Sequence, residues 1–136
     1  MSARILIVED EFLVAMNLEA VIGDLDHEVI GIAPDRESAD ELADEEPDIA
    51  FVDLNLRDGL TGPQIGKMLS DRGISVIYVT ANPRILGEGV PGTLGVMPKP
   101  CDGRTIAGAL DYALLRRRGE AVMPPPFIIP FDEHRT

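Results

Sequence analysis

An α/β fold, with helices on both faces of a parallel sheet, is the class predicted for this 136-residue chain. Three features predict it. Short, β-branched, uncharged runs recur along the sequence, helix-period stretches alternate with them, and the links between the two are brief. The length suits one domain, and 45% hydrophobic against 26% charged residues is globular composition.

Ile5-Leu6-Ile7-Val8 stops at Glu9-Asp10-Glu11 and reads as a strand buried on both faces. Val14, Leu18, Val21 and Leu25 then fall on one helical face, with an end near Gly23 and Asp24. Glu28 to Ala33 fits a second strand, and Asp35 is placed to cap a second helix carrying Ala39, Leu42 and Ala43. Pro47 interrupts that helix, and Ile49 to Val52 form a third strand ending at Asp53. After a polar turn, Thr61 and Gln64 have capping-box spacing ahead of Ile65, Met68 and Leu69, and Gly73 closes the helix. Ile74 to Thr80 is the fourth strand. Residues 81–92, with three glycines and two prolines, predict at most one or two helical turns. Thr93 to Met97 is the fifth strand, and Ile106, Leu110, Ala113 and Leu114 mark the last helix, ending on Arg116 to Arg118.

Twelve basic and 24 acidic residues give a net charge of −12. That sign opposes binding to nucleic acid or to anionic membranes, and the short arginine cluster does not reverse it. Eight of the acids lie between Asp35 and Asp48, where a solvated helix accounts for them. The single cysteine, Cys101, excludes an internal disulfide and a cysteine zinc site, and reads as a packing residue. His27 and His134 lack metal-ligand spacing and are expected to be exposed. No apolar stretch reaches 18 residues and no secretory pattern opens the chain, so a cytoplasmic location is expected. Residues 1–118 are read as the domain and 119–136 as a proline-rich tail with no output domain. Its Pro124-Pro125-Pro126 favours polyproline II, and Phe127, Ile128, Ile129 and Phe131 suggest docking, on this domain or on a partner, with a frayed terminus as the equal alternative.

The polar residues collect at the carboxyl ends of the strands, where open parallel sheets bind ligands. Glu9 and Asp10 follow the first strand, Asp53 the third, Thr80 the fourth and Lys99 the fifth. Converging carboxylates repel one another and invite a cation, and oxygen donors favour Mg²⁺. A cation, a nucleophilic carboxylate, a lysine and a hydroxyl together suit a phosphoryl group.

Those same motifs, Ile-Leu-Ile-Val-Glu9-Asp10-Glu, Phe-Val-Asp53-Leu-Asn55-Leu, Tyr-Val-Thr80-Ala and Pro-Lys99-Pro100, resemble the receiver domain of two-component response regulators from about Arg4 to Arg117. The resemblance implies a flavodoxin-like, doubly wound, five-stranded parallel sheet of order 2-1-3-4-5, with the fourth helix shortened here. It implies that Asp53 accepts a phosphoryl group from a sensor histidine kinase. Glu9, Asp10, Asp53 and the Asn55 backbone carbonyl would hold Mg²⁺, Lys99 would pair with phosphoryl oxygens, and Thr80 would bond one of them. A cis Lys99-Pro100 peptide is part of the pattern. Tyr78-Val79-Thr80-Ala81-Asn82-Pro83 is similar to receivers of alphaproteobacterial stress-response regulators and their single-domain relatives.

Two departures bear on mechanism. Val96 stands where many receivers carry a switching aromatic, and Cys101 follows the Lys-Pro pair in place of an aromatic. Activation is therefore expected to order residues 82–92. Output is expected through an unidentified protein partner, through competition for kinase phosphoryl groups, or through a homodimer, with the fourth and fifth strands and last helix as the docking face. The rivals are a Mg²⁺-dependent aspartyl-phosphate phosphohydrolase, disfavoured by Asn55 where a second acid is needed, and a receiver-fold interaction protein that is never phosphorylated.

Overall fold

The β-branched runs become the central strands of one sheet. The computed structural model describes residues 2–87 and 89–131, and the expectation for His134 lies outside them. Strands β1 (Arg4–Val8), β2 (Glu28–Ala33), β3 (Ile49–Asp53), β4 (Ser75–Thr80) and β5 (Gly95–Pro98) run parallel in the order β2-β1-β3-β4-β5. Helices α1 (Phe12–Asp24), α2 (Arg36–Ala43), α3 (Gly62–Asp71) and α4 (Gly103–Arg117) connect them, with a single 3₁₀ turn at Pro83–Leu86 in the shortened segment. A sixth strand, β6 (Ile129–Pro130), comes from the tail and pairs antiparallel with β5. The expected five strands are thus six, because the tail docks on its own domain.

Two apolar cores lie on the two faces of the sheet. Ile5, Ile7, Phe51, Ile77 and Met97 point toward α1 and α4, whereas Leu6, Val8, Val52, Tyr78 and Val96 point toward α2 and α3. Alternate residues of a strand face opposite sides, so both sets must be apolar, which explains the unbroken runs. Each fully buried aliphatic or aromatic side chain contributes about 1.5–3 kcal/mol.

The helices refine several expectations. The buried stripe of α1 is Ala15, Leu18 and Ile22, with Val14, Val21 and Leu25 only flanking it. The face is turned by about one residue, which leaves Phe12, Leu13 and Met16 exposed. Its end comes at Asp26, which takes a positive φ of 65° while the His27 N–H bonds Ile22 O, so a left-handed residue after Gly23 does the terminating. Asp35 caps α2 as predicted, accepting from the Ser38 N–H at 3.0 Å. The capping box expected at Thr61 and Gln64 does not form. Thr61 is already helical in backbone, and its hydroxyl donates to Asp58 at 2.6 Å. The reciprocal box sits at α4, between Asp102 and Thr105. At β5, Thr93 is spent closing a turn, its N–H and hydroxyl both donating to Val90 O, so the strand begins at Gly95. Gly73 ends α3 with φ 84°. His27 is half-buried, not exposed, and its Nδ1 accepts from the Ala3 N–H at 3.0 Å. Arg117 does more than suit the end of α4: its guanidinium donates to Asp48 O and Gly73 O, tying α4 to the start of β4.

Candidate functional site at the carboxyl ends of the strands

Register brings the predicted side chains together. In the parallel β1–β3 pair, Val8 stands opposite Val52, which sets Glu9 level with Asp53. In β4–β5, Thr80 stands opposite Pro98, and the Lys99 N–H then bonds Thr80 O at 2.8 Å. Lys99 therefore reaches in from the far side of Asp53. Its Nζ lies 2.9 Å from Glu9 Oε1 and 3.5 Å from Asp53 Oδ2. The Lys99-Pro100 peptide is cis.

Carboxylate oxygens of Glu9, Asp10 and Asp53 all lie within 4.8 Å of one another. Glu9 and Asp53 are buried at 3% and 6% exposure, while Asp10 faces solvent. Three carboxylates against one ammonium leave a local excess of negative charge. An all-oxygen donor set open on one side fits a hard divalent cation, and among the described residues no sulfur or imidazole joins it. Asn55 is exposed two residues beyond Asp53, at the head of a turn pinned by reciprocal backbone bonds between Leu56 and Gly59.

Burial pushes the Glu9 carboxyl above its ordinary value; the Lys99 bond opposes that shift, and Asp53 adds to it. Burial alone would lower Lys99. The hydrogen bond and charge of Glu9, backed by Asp53 and Glu11, outweigh it and hold the ammonium above the usual lysine value. Lys99 is thus fixed as a cation at the mouth of the site. The sequence marks Glu9 as a metal ligand but carries no sign that it is also the nearest partner of Lys99. Its second oxygen, Oε2, accepts from the Glu11 N–H at 3.2 Å.

Thr80 is 2% exposed, and its Oγ1 accepts from the Asn82 N–H at 3.1 Å. That bond joins the end of β4 to the segment leading into the 3₁₀ turn. Close packing sets the floor of the site: a side chain on Gly62 would put its Cβ 2.4 Å from Asp53 O. Beside Lys99, an apolar groove is lined by Leu13, Asn17, Val79, Pro100 and Cys101. Cys101 is partly buried against the α1–α4 core, and burial raises its thiol pKa, in keeping with a packing role. Among the described residues no helix is long and apolar enough to cross a membrane.

Acids, a hydroxyl and a lysine thus meet at successive strand ends of a doubly wound parallel sheet. Residues 5–111 match the response regulator receiver domain, and the chain belongs to that family of two-component signalling proteins. It is 36% identical over 129 residues to the phyllosphere-induced regulator PhyR of Methylorubrum extorquens, covering 89% of this chain and 48% of that protein. The solution structure of the Erythrobacter litoralis PhyR response regulator REC domain superposes with a TM-score of 0.77 at 29% identity, covering 90% of this chain and 97% of that one. The crystal structure of the anti-anti-sigma factor PhyR from Bartonella quintana gives 0.78 at 27% identity, covering 88% and 50%. The likeness extends to the alphaproteobacterial stress-response type of receiver. The chain spans about half the length of the curated relatives it matches.

Proposed function

We propose that Asp53 is the phospho-acceptor of a response regulator, taking a phosphoryl group from a phosphohistidine on a sensor histidine kinase. The observation that carries this reading is the meeting of Glu9, Asp10 and Asp53 within 4.8 Å, with Lys99 2.9 Å from Glu9 and 3.5 Å from Asp53. An Asp53 carboxylate oxygen attacks phosphorus, the P–N bond breaks, and the electron pair leaves with the imidazole nitrogen. Asp53, already buried and held beside a cation, needs little reorganisation to present that oxygen. Lys99 offsets charge on the transferred oxygens, and Glu9 positions Lys99. Glu9, Asp10, Asp53 and the Asn55 carbonyl are the groups that would hold Mg²⁺, which when bound neutralises the phosphoryl oxygens. Thr80 then exchanges the Asn82 N–H for a phosphoryl oxygen, to which its hydroxyl donates.

The exposed Phe12, Leu13 and Met16, next to the groove beside Lys99, suit an apolar contact with the phosphodonor. Signal output is by contact with another protein, as the anti-anti-sigma description of the Bartonella relative supports. Catalysis is confined to this chain's own phosphorylation and dephosphorylation, in the cytoplasm.

Incubation with acetyl phosphate and Mg²⁺ is expected to add one phosphate by intact mass. Asp53→Asn and chelation should each abolish it. No added mass, or a phosphate retained in Asp53→Asn, overturns the assignment.

A further inference from the structure

Residues 127–131 wrap the outer edge of the sheet and seal both cores at once. Ile128 is buried at 3% exposure in the α1–α4 core with Phe127 beside it, and Phe131 packs with Leu86 and Val90 against the α2–α3 core. The Phe131 ring lies 6.2 Å from that of Tyr78, centroid to centroid, and its N–H bonds Leu94 O at 3.1 Å. Val96 pairs with Ile129, so the aromatic ring packed over this part of β5 belongs to the tail and not to the strand.

Three glycines from separate elements are shaped to this segment. A Cβ on Gly108, in the middle of α4, would sit 2.7 Å from the Phe127 ring. One on Gly95 would meet Ile129 O at 2.6 Å, and one on Gly89 would meet the Phe131 ring at 2.3 Å. Glycine within a helix or strand is unfavourable on its own, so its presence at 95 and 108 marks sites of close approach. The recess thus fits an extended chain with an aromatic residue at each end.

The same recess touches the path away from the phosphorylation site. Thr80 Oγ1 holds the Asn82 N–H; the 3₁₀ turn follows, ending at Leu86, and beyond it Gly89 lies against the Phe131 ring, while Leu86 and Val90 pack on the same core as that ring. Moving Thr80 toward a phosphoryl group breaks the first of these links and frees the segment that Phe131 clamps, the reverse of the ordering of residues 82–92 expected from the sequence.

We propose that the β5 edge and the adjoining flank of α4 form an exchangeable strand-docking surface. Residues 127–131 occupy it while Asp53 is unmodified, and phosphorylation loosens them, so that an extended segment of a partner protein replaces them. The partner segment has an aromatic residue at each end of an aliphatic pair-and-proline stretch, and basic flanks that complement the −12 charge of this chain. The coupling to Asp53 rests on the function proposed above; the docking surface does not.

Two measurements on the full chain test this. The first is amide hydrogen exchange with and without acetyl phosphate and Mg²⁺. Protection of the Phe131 amide is expected to fall at least tenfold, with β1 and β3 unchanged. Unchanged protection in protein that mass shows to carry one phosphate overturns the coupling. A chain that takes no phosphate overturns the Asp53 reading and the coupling with it, and leaves the surface to the second measurement.

That measurement uses a fluorescent peptide carrying residues 124–131 behind two lysines. It should bind Phe131→Ala, whose own tail is weakened, at least tenfold more tightly than the unsubstituted chain. Adding Gly108→Ala, which fills the Phe127 recess while favouring the helix, should remove that binding. A peptide that binds neither chain, binds both equally, or ignores Gly108→Ala overturns the docking surface.

Discussion

Gly66 and Tyr78 meet more tightly than any other pair near the α3–sheet junction. A Cβ at position 66 would fall 1.9 Å from the Tyr78 hydroxyl and 2.4 Å from Cζ, while that hydroxyl donates to Pro63 O at 3.1 Å. Burial lifts the Tyr78 phenol far above the ordinary tyrosine range, so the ring stays neutral and its O–H keeps donating. Gly66→Ala is expected to destabilise the fold by about 1–3 kcal/mol through overpacking, measured by urea denaturation. Adding Tyr78→Phe should recover only part of that, because Cζ stays in the way. At the site, Glu9, Asp10, Asp53, Thr80 and Lys99 are legible in the sequence because each ends or follows an apolar run, and strand register does the rest. What the sequence hides is the order of preference among them. That Lys99 lies nearer Glu9 than Asp53 depends on distances across three strands, which no local pattern encodes.

Elements are legible to the extent that one local force decides them. Strands β1, β3 and β4 are buried on both faces and announce themselves as unbroken apolar runs, whereas β6 is two residues long inside a proline-rich stretch and exists only because β5 offers it an edge. Caps divide the same way. Asp35 acts as its spacing predicts; Thr61 does not, because Gly62 N–H is already bonded to Leu54 O and the chain enters α3 from a closed turn. At α4, the backbone N–H and hydroxyl of Thr105 hold the Asp102 carboxyl below its ordinary value. A depressed folded-state value means stability gained above the unfolded value and lost as pH falls through the folded one. Asp102→Ala should therefore lower the thermal midpoint at pH 7, and the gap from the parent chain should close in strong acid, as followed by circular dichroism.

The molecule as a whole carries a net charge of −12, with three carboxylates gathered at one mouth of the sheet. A cation bound there in the folded state alone stabilises it by mass action, by about 2.7 kcal/mol at one hundred times its dissociation constant. For a chain of this size that is worth roughly 3–5 °C in thermal midpoint per kcal/mol. Scanning calorimetry with added Mg²⁺ should show such a rise, much reduced in Asp10→Asn, whose exposed side chain costs the metal-free fold little. A rise of equal size in that variant would mean that the ion acts elsewhere.

Pro130 sits in the outermost strand, paired with Gly95, and brings no amide hydrogen to the side that faces outward. A sheet margin normally tempts neighbouring molecules to continue the ladder, and a proline there denies them a rung. The chain has thus finished its lateral growth with a residue that cannot be built upon. Stripping that border away would leave β5 as raw margin, prone to zip against its own kind in concentrated solution.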